Sequence, residues 1–164
     1  MCKGKPPGSI VATFNAGQAV NVQFEGTARH NGGICQFSVS YDNDRTFIVI
    51  QEIDGACPDG KLSLIQANYN WPVQLPSNLP SCERCTFAWT WINALGNREL
   101  YSKNYVLIKV NCADVRIVGN KSFESISGRK IALANFAGYP RIEPRGASGG
   151  PSNSKITHFQ VQAN

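Results

Sequence analysis

The chain has 164 residues, of which 42% are hydrophobic and only 16% charged, and its formal net charge is +5. This length fits one domain with its own hydrophobic core, and the low charge favours a β-rich extracellular protein over a charged helical one. The Lys and Arg residues are scattered along the chain, without a basic run interleaved with aromatic residues, which argues against nucleic-acid binding. No apolar run is long enough to span a membrane.

Short strands separated by turns are predicted between residues 10 and 118, where helical periodicity of any length is missing. A strand predicted at 64–71 closes at Trp71-Pro72, which places it at a sheet edge or crossover because proline donates no backbone hydrogen bond. The other elements predicted before residue 80 are an alternating strand with Val20, Val22 and Phe24, a second with Phe37, Val39 and Tyr41, a turn at 42–44 and a buried strand at 47–50. This spacing predicts an antiparallel β-sandwich.

An aromatic strand follows Cys82. Phe87, Trp89 and Trp91 alternate along it, so they should share one face and lie buried between two sheets, with the β-strand around Val22 opposite them. The strand runs into a Gly-Asn loop, and residues 104–110 after that loop form an apolar run that is either a further strand or an inserted segment.

Two loops at predicted strand ends carry candidate functional groups. The Gly-Asn loop presents Glu99 and Tyr101 close together, with Arg98 beside them. His30 follows the first alternating strand and precedes Asn-Gly-Gly at 31–33. Loops at the end of a sandwich are a usual place for functional groups, since a rigid scaffold positions them there. The sequence shows no Ser-His-Asp order, phosphate loop or carboxylate pair that indicates hydrolysis.

The composition changes after Gly119. Gly, Ser, Pro and Asn dominate residues 147–154, and alternation is weak, so residues 120–164 are predicted to be a low-complexity, partly disordered tail with a little structure near 131–136. The sandwich domain is accordingly placed at residues 1–119. The tail begins with a glycosylation sequon, Asn120-Lys121-Ser122, which matters if the protein is secreted.

Six cysteines indicate an oxidising compartment: Cys2, Cys35, Cys57, Cys82, Cys85 and Cys112. They allow about 15 pairings, and cysteine spacing alone does not choose among them. A hairpin that folds at 42–45 brings its two ends together, which predicts a disulfide between Cys35 and Cys57. The rival interpretation is an intracellular zinc or redox protein built on Cys82 and Cys85. A structural zinc site needs a second close ligand pair, which the sequence does not contain, so disulfides are favoured.

Three blocks of this sequence are similar to those of a known family. They are Thr-Ala-Arg-His-Asn-Gly-Gly-Ile-Cys-Gln-Phe-Ser-Val-Ser-Tyr-Asp at 27–42, Phe-Ala-Trp-Thr-Trp-Ile-Asn-Ala-Leu-Gly-Asn-Arg-Glu-Leu-Tyr at 87–101 and Asn-Cys-Ala-Asp-Val at 111–115. In this order, over residues 2–119, they resemble the fungal chitin-active lytic polysaccharide monooxygenases and their relatives. The resemblance implies an immunoglobulin-like or fibronectin-like antiparallel β-sandwich with long loops.

The resemblance also implies a copper site. In the family, copper is held by the amino group and ring of an amino-terminal histidine and by the ring of a second histidine, with a tyrosine in the axial position. His30 resembles the second histidine, Tyr101 the axial residue, Glu99 the outer acid and Ala28 the small residue near the open copper face. Nitrogen donors with a weak axial oxygen suit copper. The family oxidises a C–H bond at the glycosidic linkage of a crystalline polysaccharide.

The chain departs from the family at its amino terminus, which reads Met1-Cys2-Lys3-Gly4 and has no signal-peptide pattern. The Cys-Lys-Gly triplet resembles a motif inside the family's domain, so we expect an upstream segment with the first copper ligand to be missing. Residues 105–111 interrupt a stretch that is shorter in the family. Both departures fit a gene model that starts at an internal methionine and retains an intron.

These observations lead to one preferred interpretation and one alternative. The preferred interpretation is a truncated polysaccharide monooxygenase-like protein, monomeric and extracellular in its full-length form. Its family role is copper-dependent oxidation of chitin or a related polysaccharide. The 164-residue chain itself should lack competent copper chemistry. His30 and Tyr101 should converge on one broad, flat surface with Glu99 close by. The alternative is a non-catalytic secreted carbohydrate-binding or cell-wall protein on the same sandwich, whose tryptophans stack on sugars.

Overall fold

The computed structural model describes Cys2, residues 6–25 and 33–54, Cys57, and residues 68–93, 108–120, 122–132 and 160–163. Within these ranges no helix has the length and hydrophobicity needed to cross a bilayer. The strands are β1 (Ala12–Asn15), β2 (Ala19–Glu25), β3 (Gly33–Ser40), β4 (Ile48–Asp54), β5 (Asn68–Gln74), β6 (Cys82–Asn93), β7 (Ile108–Val118), β8 (Ile126–Arg129) and β9 (Gln160–Ala163).

The described strands form one large sheet and two small ones. The large sheet has the order β1-β7-β6-β3-β4, and β2-β5 and β8-β9 form separate pairs. All pairings are antiparallel except that of β1 with β7, where Ala12 lies opposite Val115 in parallel register, so the large sheet is mixed. Parallel pairing needs a long connection, which the intervening strands supply. The all-β sandwich is confirmed, and its immunoglobulin or fibronectin type stays a prediction.

The hydrophobic core lies between the large sheet and the β2–β5 pair. Phe87 and Trp91 are 8% and 4% exposed, and the half-buried Trp89 packs against the same cluster. The ring of Phe24 on β2 lies 4.8 Å from that of Trp89, centroid to centroid. The predicted burial of the aromatic strand is therefore confirmed. The cluster also contains the two other apolar residues predicted to lie opposite, Val20 and Val22.

The β3 strand is buried along its whole length, although apolar and polar residues alternate in it. Its polar residues Gln36, Ser38 and Ser40 are all covered. They point away from the main core, because successive side chains of a strand face opposite sides. Part of the cover comes from the segment after residue 119. The amide of Ala132 donates to Gln36 Oε1 at 2.8 Å, and Ile131 is 4% exposed in a small outer cluster.

Two strands lie in the segment where composition predicted little structure. β8 pairs with β9, and the opposed residues Ile126 and Ala163 are both buried in the main core cluster. Described parts of this segment thus contribute to the sandwich itself. The division into a domain at 1–119 and a tail at 120–164 stays a prediction.

Two predicted elements have different bounds in the structure. β5 continues through Pro72 to Gln74, past its predicted end. Pro72 lies opposite Asn21 in a two-stranded sheet, where every strand is an edge strand, so the expected edge position is confirmed. Residues 108–110 of the apolar run are the first part of β7 and pair with β6, with Ile108 opposite Ile92. They do not form a separate strand.

All six cysteines are paired in disulfides: Cys2–Cys112, Cys35–Cys57 and Cys82–Cys85. The Cys35–Cys57 pair expected from the hairpin has 5.6 Å between its Cα atoms. Because Cys82 and Cys85 are bonded to each other, their sulfurs are not zinc ligands in this structure.

Candidate functional site

The predicted site residues His30, Glu99 and Tyr101 lie outside the described residues, as does Ala28. Their convergence therefore stays a prediction. The structure does describe the strand ends between which their two loops run. Those ends decide whether the two loops leave the sandwich at the same place.

The described strand ends that flank the two predicted loops lie at one end of the sandwich. The loop with His30 runs from Glu25, the end of β2, to Gly33, the start of β3. The loop with Glu99 and Tyr101 begins after Asn93, the end of β6. Gly33 and Asn93 are direct partners in the ladder between β3 and β6. Gly33 has φ 135°, a conformation that favours glycine, so the chain enters β3 through a backbone that other residues rarely adopt.

A rigid base supports this end of the sandwich. Trp91 pairs in register with Cys35, only two residues along each strand from the Gly33–Asn93 pair. Cys35 is bonded to Cys57, which lies beyond the end of β4 and ties that end to β3. The rings of Trp89 and Trp91 stack at 6.0 Å between centroids. A packed, cross-linked scaffold of this kind is the usual support for loops that carry functional groups.

The described residues contribute no cluster of three or more His, Cys, Asp or Glu side chains that could hold a metal ion. The cysteines are excluded as donors because all six are in disulfides. The whole chain has two histidines, His30 and His158, and the copper site predicted at this end uses one imidazole from His30 and one phenol from Tyr101. These donor types suit copper, but they do not by themselves supply the three nitrogens of a histidine brace.

A cleft of about 300 Å³ lies on the outer side of the large sheet, near the start of β6. Arg84 Nη1 lies 3.6 Å from Asp114 Oδ2 in this cleft. The same guanidinium donates to the Gly8 carbonyl oxygen, and the Gly8 amide donates to Asp114 Oδ2. These contacts hold the segment before β1 against the sheet. The residues in these contacts come from three distant parts of the chain. No local sequence motif therefore indicates the cleft.

The turn at 42–44 closes the β3–β4 hairpin beside this cleft. Asp42 Oδ1 accepts hydrogen bonds from the Thr46 amide at 2.8 Å and from Ser40 Oγ at 3.0 Å. Burial raises the pKa of Asp42, but the hydrogen bonds from Thr46 and Ser40 outweigh burial and hold the pKa below its ordinary value. Asn43 and Asp44 adopt positive φ angles of 55° and 65°, which confirms the predicted turn.

Comparison with curated proteins gives three relatives with the same family name. An AA11 family lytic polysaccharide monooxygenase A of Aspergillus fumigatus is 42% identical over 131 residues, which cover 76% of this chain and 52% of that protein. An AA11 family lytic polysaccharide monooxygenase of Aspergillus oryzae is 35% identical over 139 residues, covering 78% of this chain and 31% of the relative. An AA11 family lytic polysaccharide monooxygenase B of Aspergillus fumigatus is 32% identical over 130 residues, which cover 71% of this chain and 28% of that protein.

The matched region includes most of this chain but only part of each relative. The chain spans about half the length of the first relative and about a third of the other two. No family model matches the chain. The resemblance drawn from the three sequence blocks is confirmed by the three relatives.

Proposed function

We propose that this chain, which is homologous to the AA11 family of lytic polysaccharide monooxygenases over about three quarters of its length, belongs to a protein that oxidises chitin or a related polysaccharide. In this proposal the chain carries the sandwich and part of the copper site. The observation that supports the proposal most directly is the Gly33–Asn93 pairing. It brings together Gly33, three residues after His30, and Asn93, eight residues before Tyr101. The three disulfides support an extracellular location.

The chain's own residues have distinct roles in this proposal. His30 would supply an imidazole nitrogen to the metal, and Tyr101 would supply a phenol oxygen. Glu99, two residues before Tyr101, would be the outer acid that positions the oxygen species, and the small side chain of Ala28 would leave the substrate-facing side open. Copper, when bound, supplies the one-electron chemistry that activates oxygen or peroxide. A broad, flat surface around these loops is what a crystalline polymer requires.

These donors do not complete a copper site by themselves. Loss of outer partners alone typically lowers metal affinity or activity about 10–100-fold, and loss of directly bound nitrogens should cost more. We therefore expect residues 1–164 to bind copper weakly and to lack oxidative activity. Cys2 is bonded to Cys112 on β7. Cys112 lies four positions after Ile108, the first residue of β7, so the two residues are roughly 13 Å apart along the strand. A segment joined ahead of Cys2 would thus begin within reach of the candidate site.

The test compares the chain with a fusion that places an amino-terminal histidine segment of the family ahead of Cys2. Copper affinity is measured by chelator competition and calorimetry, and soluble oxidised products are measured on chitin with a reductant. The fusion should bind copper far more tightly than the chain and release oxidised oligosaccharides. His30→Ala should abolish both gains in the fusion, whereas the matched variant His158→Ala should retain them. Tight copper binding in the His30→Ala fusion, or no gain from the added segment, would contradict the proposal.

The non-catalytic alternative relies on exposed tryptophans, and the structure does not favour it. Trp91 belongs to the core, and Trp71 and Trp89 pack against it. No row of exposed tryptophans is therefore available among the three. A fusion that binds chitin and copper but releases no oxidised product would restore this alternative.

A further inference from the structure

We propose that Asn120 is the acceptor of an N-linked glycan in the secreted protein, an inference that relies on the proposed extracellular location. Asn120-Lys121-Ser122 is the one Asn-x-Ser/Thr triplet in the printed sequence. Such triplets also occur by chance, so the triplet alone does not carry the proposal. The placement of Asn120 and Ser122 in the fold does.

Asn120 lies two residues after the end of β7, in a turn that fixes its backbone and leaves its side chain accessible. Its amide donates to the Leu79 carbonyl oxygen at 3.0 Å, and its own carbonyl oxygen accepts from the Phe123 amide at 3.1 Å. The side-chain oxygen Oδ1 accepts from the Ser122 amide at 2.9 Å. The residue is exposed, and no hydrogen bond among the described residues engages its Nδ2. Nδ2 is the atom that carries the sugar in an N-linked glycan.

The modification requires a lipid-diphosphate-linked oligosaccharide and a transferase of the secretory pathway. The Asn120 Nδ2 forms a bond to the anomeric carbon of the first sugar, and the bond from that carbon to the diphosphate oxygen breaks. The lipid diphosphate leaves with the electron pair, and a base of the transferase takes a proton from Nδ2. The Ser122 hydroxyl is the second group that the transferase recognises.

The position of Asn120 is compatible with the proposed activity. β7 runs from Ile108, which lies opposite Ile92 at the end of the sandwich where the copper site is proposed, to Val118, a distance of roughly 33 Å at about 3.3 Å per residue. A glycan on Asn120 would therefore lie at the opposite end of the sandwich from the polysaccharide surface. It would also lie next to two exposed apolar side chains, since Val118 is 45% and Phe123 is 40% exposed. A sugar attached here shields apolar surface without obstructing the site.

The test expresses the full chain behind a heterologous secretion signal in a eukaryotic host and examines both secreted and cell-retained protein. We expect slower gel migration that an N-glycosidase reverses, and conversion of Asn120 to Asp by that enzyme in peptide mass spectrometry. Asn120→Gln and Ser122→Ala should each abolish the shift, and Ser122→Thr should retain it. Asn78→Gln, at an exposed asparagine without a sequon, is the matched control and should leave the shift unchanged.

Unmodified Asn120 in the protein from this host would overturn the proposal, as would a shift that persists in Asn120→Gln. The assay involves neither copper nor polysaccharide. A negative result would therefore leave the copper proposal standing, and failure of the copper fusion would leave this proposal standing.

Discussion

Gly33 and Asn93 lie opposite each other on β3 and β6, three residues after His30 and eight residues before Tyr101 in the sequence. The two residues are 60 positions apart in sequence, so their adjacency is a property of the folded sheet. Beneath them, Trp91 pairs with Cys35, and the Cys35–Cys57 disulfide ties β4 to the same end. The sandwich thus provides a common base for loops that the chain places far from each other.

The first prediction concerns the location of copper binding. Cu²⁺ added in excess to the isotope-labelled chain should broaden the amide resonances of Glu25, Gly33 and Asn93 before those of Asp42 and Asn120, because the first three flank the loops of His30 and Tyr101. Nuclear magnetic resonance spectra recorded along the titration provide the measurement. The same selective broadening in His30→Ala, or its loss in the control His158→Ala, would contradict this assignment.

The second prediction concerns the packing between the sheets. Phe24→Ala removes a ring that lies 4.8 Å from Trp89 and 6.2 Å from Phe37, centroid to centroid. The free energy of unfolding should fall by about 2–4 kcal/mol, because a half-buried aromatic contact is lost and a cavity remains. Phe123→Ala, at a 40% exposed phenylalanine, is the control and should change stability by less than about 0.5 kcal/mol. Denaturant titration measures both, and equal effects would count against the described core.

The third prediction ranks the disulfides by the chain segment that each closes. The sequence separations are 110 for Cys2–Cys112, 22 for Cys35–Cys57 and 3 for Cys82–Cys85. In the chain-entropy model, replacing both cysteines by alanine should cost about 4.8, 3.4 and 1.6 kcal/mol respectively. Thermal and denaturant unfolding of the three double variants tests the order. A Cys82–Cys85 variant that is the least stable would show that loop closure is not the dominant effect.

The fourth prediction concerns Asp42 and pH. The pKa of Asp42 is lower in the folded chain than the unfolded value of about 3.9, so ionised Asp42 favours the folded state. This contribution is present above about pH 4 and is lost as the pH falls through the lower, folded pKa. Asp42→Asn should therefore lower the free energy of unfolding at pH 7 by about 1 kcal/mol. The difference in this free energy between the variant and the original chain should disappear in acid.

The control for Asp42 is Glu83→Gln, because the Glu83 side chain is 84% exposed in its ion pair with Arg116. It should change stability by less than about 1 kcal/mol at pH 7. Urea unfolding between neutral and acidic pH gives the comparison. A stability gap for Asp42→Asn that widens as the pH falls would have the wrong sign.

The fifth prediction concerns a close backbone approach at Gly119. A Cβ at this position would lie 2.2 Å from the Leu79 carbonyl oxygen and 2.2 Å from the Pro80 carbonyl carbon. Gly119→Ala should therefore lower the free energy of unfolding by at least about 2 kcal/mol, because backbone atoms must move. Gly8→Ala is the control, since its Cβ would meet only the Asp114 carboxylate at 3.3 Å, and a side chain can move aside. Similar stabilities of the two variants would contradict the close approach.

Local pattern was sufficient to predict several features of this protein. Alternation identified the strand of Phe87, Trp89 and Trp91 and the face that it buries, because side chains of a strand alternate with a period of two. The hairpin turn at 42–44 predicted the Cys35–Cys57 pair, since a short turn brings neighbouring strand ends together. The three sequence blocks identified the family, and relatives confirmed the resemblance.

Long-range contacts determined the structural features that local sequence pattern did not predict. Composition did not reveal that β8 and β9 join the core or that residues around Ala132 cover Gln36, because such cover depends on contacts across the whole chain. The parallel pairing of β1 with β7 has the same origin, as it joins strands from the two ends of the sandwich segment. For the candidate site, the sequence by itself determined which residue types are available for the chemistry. Only the sheet register, with Gly33 opposite Asn93, brought together the strand ends that flank His30 and Tyr101, because strand pairing joins distant segments and local sequence does not encode it.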